Sequence, residues 1–230
     1  MIKQVLQRGV LALAAIVIAA SYSHASPMAG DTITLGYGTY HQGVGGEFLL
    51  ESATPGSDYS FVTFCLEKNE YFKPGNTYKV QNVDYYANRG GYGYTNDGYS
   101  TRSKDYISNT TKWLMNEYIF NYDAIWDGRD KNDFAGLMQN TVWFLENEVS
   151  SLDDSYLLTY YQDQMGDVYD LSYTPDYLDN IQVVNIVNGA GKLKQSQIIA
   201  TAPVPEPATM LLFGSGLVGL AAIGRKKIRK

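Results

Sequence analysis

Among the side chains of this sequence that can act as nucleophiles, the rarest type is a thiol: Cys65 is the one cysteine among 230 residues. It lies in Tyr-Ser-Phe-Val-Thr-Phe-Cys-Leu (59–66), a run of high β propensity. Strand alternation there puts Phe61, Thr63 and Cys65 on one face and Val62, Phe64 and Leu66 on the other. A single cysteine closes no internal disulfide, so a small inert core residue is one reading of it. Gln139 sits in a different pattern, Phe-Ala-Gly-Leu-Met-Gln-Asn-Thr-Val-Trp-Phe-Leu-Glu (134–146), where Phe134, Met138, Val142 and Leu145 form a helical stripe. At about 100° per residue, Gln139 falls on the flank of that stripe, one turn before Trp143.

Taken together, the aromatic-Cys-apolar element Phe64-Cys65-Leu66 and the helical segment with Met138, Gln139, Val142 and Trp143 resemble the thioester domains of bacterial surface proteins. The two elements stand in the order of that family, 74 residues apart, and the resemblance covers residues 59–150. It implies an internal thioester between Cys65 and Gln139, flanked by Phe64, Leu66, Met138, Val142 and Trp143. A thiolate attacks the Gln carboxamide, ammonia leaves, and the acyl group becomes far more electrophilic than the amide it replaced. Such a bond persists only in a water-excluding pocket, for which Trp143 and Phe64 are the candidate walls. An amine or hydroxyl on a protein or polysaccharide would then be acylated on Gln139, freeing Cys65. This is a single-use attachment and not turnover catalysis.

Both ends of the chain read as routing. Lys3 and Arg8 precede an uncharged apolar run (10–20), and Ser23-His24-Ala25 offers small residues at minus three and minus one of a signal-peptidase site, so 1–25 reads as a signal peptide. At the far end, Pro205-Glu206-Pro207 precedes seventeen mostly apolar residues (208–224) and a basic terminus from Arg225 to Lys230. A helix of that length reaches roughly 25 Å, near the ~30 Å hydrocarbon core, and the basic cluster belongs on the cytoplasmic side. The order resembles the PEP-CTERM sorting signal, here 203–230 with a transmembrane segment at 208–224. That resemblance implies transient residence in the inner membrane, cutting by exosortase, and release to the cell surface or extracellular matrix of a Gram-negative bacterium.

Between the routing signals, residues 26–207 hold eleven basic and twenty-four acidic side chains, a net charge of −13. Such a surface repels phosphate backbones, which argues against a nucleic-acid partner. His41 is the one histidine left after signal removal, so a His-based zinc site or a Ser/His/Asp triad would have to rest on that residue alone, in a loop-like setting that argues against both, and no cofactor is implied. Asp123, Asp127, Asp130 and Asp133 lack the EF-hand spacing and read as a capped interhelical loop, not a metal site. Glu67-Lys68-Asn69-Glu70 reads as a solvated strand end, with Glu67 or Glu70 as a proton-transfer aid if the thioester forms.

Strands are expected at 32–37, 46–51, 59–66 and 77–83, helices at 104–121, 130–147 and 151–165, and strands again at 177–187 and 195–201. His41 falls in the glycine-rich turn between the first two strands. The Gly/Tyr-rich stretch at 85–103 reads as a loop. Strands, inserted helices, then strands give one α+β domain over 26–202: a β-sandwich or barrel core with a helical subdomain inserted. A non-catalytic matrix protein packing with exopolysaccharide, with an inert buried Cys65, is the alternative function. A hydrolase using paired carboxylates ranks last, because no pair is fixed by spacing.

Overall fold

The computed structural model describes residues 26–43, 45–88, 103–166 and 168–201. The signal peptide, most of the Gly/Tyr-rich loop and the segment 202–230 with its expected membrane span lie outside them. By its internal packing the chain divides into two units, Met1–Ala200 and Thr201–Lys230, and every strand and helix described belongs to the first. Among the described residues no helix is long and apolar enough to cross a membrane.

Strands β1 (Thr32–Gln42), β2 (Gly45–Ser52), β3 (Ser60–Cys65), β4 (Asn76–Asp84), β7 (Ile181–Val187) and β8 (Leu193–Ala200) close into an antiparallel barrel, in the order β1-β2-β3-β8-β7-β4. Of the two expected β architectures, the protein adopts the barrel. The chain reaches β8 last, and β8 fills the gap between β3 and β7, so the barrel cannot close until the helical insertion has been traversed. Alternating residues fill its interior: Ile33 and Leu35 from β1, Leu50 from β2, Tyr78 and Val80 from β4, with Ile186 and Ile199.

The insertion carries α1 (Asn109–Phe120), a short α2 (Tyr122–Ile125), α3 (Lys131–Leu145) and α4 (Tyr156–Met165). Lys104–Tyr106, expected as the start of a helix, instead forms β6, paired with β5 (Tyr86–Asn88) in a separate two-stranded sheet. The helix begins only after Ser108, whose hydroxyl accepts the Thr111 amide. The outward faces of Phe64, Leu66, Val183 and Ile198 pack with Leu114, Met115, Phe134, Met138 and Val142 into a second apolar layer. At about 1.5–3 kcal/mol per buried large side chain, this layer outweighs any single cap in docking the helices.

Lys112 is fully buried in that layer's margin. Its ammonium donates to the Tyr177 carbonyl at 2.9 Å and lies 4.5 Å from the centre of the Tyr173 ring, while burial depresses its pKa to about 8.

Candidate functional site

Helix α3 is anchored over one end of the barrel. Asp130 caps it by accepting the Asn132 amide at 2.8 Å. Its first turn is tied to the end of the β1–β2 hairpin, where the Asn132 side chain accepts from the His41 amide and Asp133 accepts from the Gln42 side chain. His41, expected in a turn, belongs to β1, which runs on to Gln42, paired in register with Gly45 of β2. Two glycines make the close approach feasible. A Cβ on Gly136 would lie 2.7 Å from the Gln42 carboxamide oxygen, and one on Gly45 would lie 3.1 Å from Gln139 Cγ and 3.7 Å from the Trp143 ring.

Placed this way, α3 brings Gln139 onto Cys65. The Gln139 Oε1 accepts the Cys65 amide at 2.9 Å, and its Nε2 donates to the Cys65 carbonyl at 2.8 Å. The carboxamide thus stands in for a neighbouring strand at the last residue of β3, and both residues are fully buried. On the other side, Cys65 pairs in register with Gln197 of β8, whose Nε2 lies 3.6 Å from the Cys65 sulfur. That carboxamide is held by Thr63 Oγ1 and by the Gln195 carbonyl. Burial pushes the Cys65 thiol well above its usual range, a shift that the Gln197 N–H opposes and the nearby Glu67 reinforces.

The apolar wall around Cys65 is Phe48 and Trp143, with Phe72 and Val149 against them. Phe64, expected as a wall, is not part of it. Together with Leu66, Met138 and Val142 it packs in the helix-facing layer, because successive strand residues point to opposite faces. Of the expected flanking residues, Trp143 alone touches the Cys65 cluster. Phe48 and Gly45 were missed, and the alternation Gly46-Glu47-Phe48-Leu49-Leu50 carried only the signal that Phe48 and Leu50 share a face.

Glu67 overturns the solvated strand end: it is buried, and Ser196 supplies its amide at 2.7 Å and its hydroxyl at 2.9 Å. The Ser196 hydroxyl also lies 2.9 Å from Asn185 Oδ1. One hydroxyl hydrogen cannot serve two acceptors, so a protonated Glu67 that donates to Ser196, which in turn donates to Asn185, satisfies the chain of contacts. Burial accordingly raises the Glu67 pKa to about 8. Of the interhelical carboxylates, Asp127 pairs with Arg129 at 2.5 Å and Asp130 caps α3, and no metal-binding group of His, Cys, Asp or Glu occurs among the described residues.

A cavity of about 210 Å³ adjoins the Cys65 cluster and shares its Phe48 and Trp143 walls. A larger, polar cavity of about 830 Å³ lies between the end of the β1–β2 hairpin, α3 and residues 148–154.

Comparison with known proteins bears on the C-terminal end. The PEP-CTERM protein-sorting motif matches residues 203–227, which include Pro205, Glu206 and Pro207. The chain therefore carries a signal for export and cell-surface sorting in Gram-negative bacteria, and with it the expectation of exosortase processing. No curated protein matches the chain. Among solved structures it is similar to the N-terminal thioester domain of fibronectin-binding protein SfbI from Streptococcus pyogenes, at 10% identity and TM-score 0.40 over 76% of this chain and 95% of that one. It is also similar to the N-terminal domain of the Streptococcus pyogenes pilus tip adhesin Cpa, at 13% identity and TM-score 0.41 over 80% of this chain and 98% of that one. What the protein does has to be argued from its own side chains.

Proposed function

We propose that this exported surface protein condenses Cys65 with Gln139 into an internal thioester and uses it once, for covalent attachment to a nucleophile-bearing partner. In the forming step the Cys65 sulfur adds to the Gln139 acyl carbon, the C–N bond breaks, and the nitrogen leaves as ammonia with the thiol proton. A partner N–H or O–H then adds to the same carbon, the C–S bond breaks, and Cys65 regains a proton.

The observation that carries this reading is the seating of the buried Gln139 carboxamide on the backbone of Cys65, the residue whose side chain packs in an aromatic enclosure. Orientation of this kind supplies proximity and excludes water, the two things a thioester needs to form and to survive. The Gln197 N–H offers stabilisation to the sulfur when it carries charge, on attack and again on release. The same two hydrogen bonds also favour a plainer role, in which Gln139 clamps α3 to the barrel and Cys65 stays an inert thiol in a matrix protein.

Intact mass of the protein as the cell processes it decides between them. A mass short by one ammonia, restored by Cys65→Ala, supports the thioester. A full mass with one titratable thiol after unfolding establishes the clamp. Hydrolase activity that survives Cys65→Ala would overturn both.

A further inference from the structure

The cavity beside Cys65 has a composition that sorts nucleophiles. Its walls include Tyr37, Phe48, Tyr71, Phe72 and Trp143, and the one charged side chain among the described residues lining it is Lys68. Lys68 is exposed, its ammonium stands 5.8 Å from the Trp143 ring centre, and no ion pair to it occurs among the described residues. Trp143 Nε1 is buried and has no hydrogen-bond partner among the described residues. The cavity is therefore aromatic in its walls and bears a donating positive charge at Lys68 on a body of net charge −13.

We infer that this cavity binds a neutral sugar unit of a glycan and delivers one of its hydroxyls to the Gln139 acyl group; the covalent half of the inference rests on the proposed thioester, the binding half does not. Exposed Tyr71 presents a ring face, and Tyr37, stacked on His41 at 4.7 Å and on Phe48 at 5.9 Å, extends the aromatic rim. Their negative faces attract the electropositive C–H surface of a pyranose. Lys68 donates to hydroxyl or ring oxygens, and the Trp143 ring adds apolar wall against the sugar. A protein lysine would have to bring its ammonium beside Lys68, a like-charge approach in a partly desolvated site. A polyanionic glycan would meet the acidic surface of the remaining body. At about 210 Å³ the cavity is smaller than the roughly 300–1,000 Å³ of drug-sized pockets, a size suited to one sugar unit and not to a folded surface. In the covalent step the sugar oxygen bonds to the acyl carbon, the C–S bond breaks, and the hydroxyl proton goes to Cys65, leaving an ester at Gln139.

The test separates binding from chemistry. Cys65→Ala protein, which cannot form a thioester, is titrated with cello-, malto-, xylo-, galacto- and mannotetraose, with a glucuronate-containing tetrasaccharide, and with Nα-acetyl-lysine methyl ester. Tryptophan fluorescence reports binding, and methylamine-treated wild type serves as a second form if the variant folds poorly. The expected result is saturable binding of at least one neutral tetraose, roughly tenfold or more tighter than either charged probe. Tyr71→Ala should weaken it, and Lys68→Glu should bring the lysine derivative up at the expense of the discrimination. Failure of every neutral tetraose to bind, or tighter binding of the lysine derivative or the uronate, overturns the inference. Intact mass of wild type incubated with the bound tetraose then reads the ester: its appearance supports the covalent half. A full-mass protein without ammonia loss, in which neutral sugar still binds, sinks the thioester and that half while the sugar site stands.

Discussion

The Gln197 carboxamide nitrogen stands 3.6 Å from the Cys65 sulfur, directly across the β3–β8 ladder, and its other end is fixed by Thr63. A hydrogen bond to a charged partner contributes about 1.5–3 kcal/mol. Gln197→Leu, close in volume and unable to donate, should therefore slow thioester formation by roughly tenfold or more. In Gln139→Ala protein, where the thiol stays free, the same substitution should shift the pH profile of Cys65 alkylation upward. An unchanged profile would show that the contact does not stabilise the thiolate.

Gly45 is the other neighbour without tolerance. A methyl group there meets Gln139 Cγ at 3.1 Å, so either the Gln139 side chain or α3 must give way. Gly45→Ala is expected to cost about 1–3 kcal/mol in urea unfolding and to lower the fraction of protein lacking ammonia. Gly56→Ala, where the added carbon meets nothing within 4 Å, controls for general backbone effects, although its φ of +85° adds strain of its own.

Much of this arrangement could be read from the chain before folding, and the misses have definite causes. The stripe of Phe134, Met138, Val142 and Leu145 identified the buried face of α3, and period-two alternation gave the strands that close the barrel. The same alternation already set Phe64 opposite Cys65, so assigning Phe64 to the Cys65 wall contradicted the sequence's own pattern. Glu67 is different in kind: its neighbours Ser196 and Asn185 lie more than a hundred residues away. Nothing local distinguishes a glutamate that will meet a serine on β8 from one that will meet water. Phe48 and Gly45 were hidden for the same reason, since their meaning comes from a helix packed across the hairpin.

Removing the cap of α3 should separate stability from chemistry. The Asp130 carboxylate accepts the Asn132 amide at 2.8 Å and the Asp133 amide at 3.4 Å. Asp130→Ala is expected to lower unfolding stability by about 0.5–2 kcal/mol. Because the hairpin contacts of Asn132 and Asp133 still hold the helix, the intact mass should match that of wild type. A lost ammonia deficit would mean that the cap itself sets the position of Gln139.

Two buried groups give the protein a stability curve with a minimum. Glu67 titrates at about 8 when folded, against about 4.3 for an ordinary glutamate. Between those values the folded state holds a proton that the unfolded state has lost, so stability falls as pH rises from about 4.5 to 8, by at most roughly 5 kcal/mol. Lys112 behaves oppositely: with a folded pKa of about 8, below its ordinary value, it leaves the unfolded state holding the extra proton above pH 8. Stability then rises again with pH until the unfolded lysine titrates. Urea unfolding of Cys65→Ala protein, which lacks the buried thiol whose raised pKa would oppose the Lys112 limb, should show a trough near pH 8 between pH 5 and 10. Glu67→Gln, which keeps a donor where the carboxylic acid has one, should flatten the acid limb alone, and Lys112→Met the alkaline limb alone. A Glu67→Gln protein that retains the full acid limb would show that Glu67 is ionised in the native state. The Ser196 hydroxyl would then have to point its hydrogen at Glu67, leaving the close Asn185 oxygen without it.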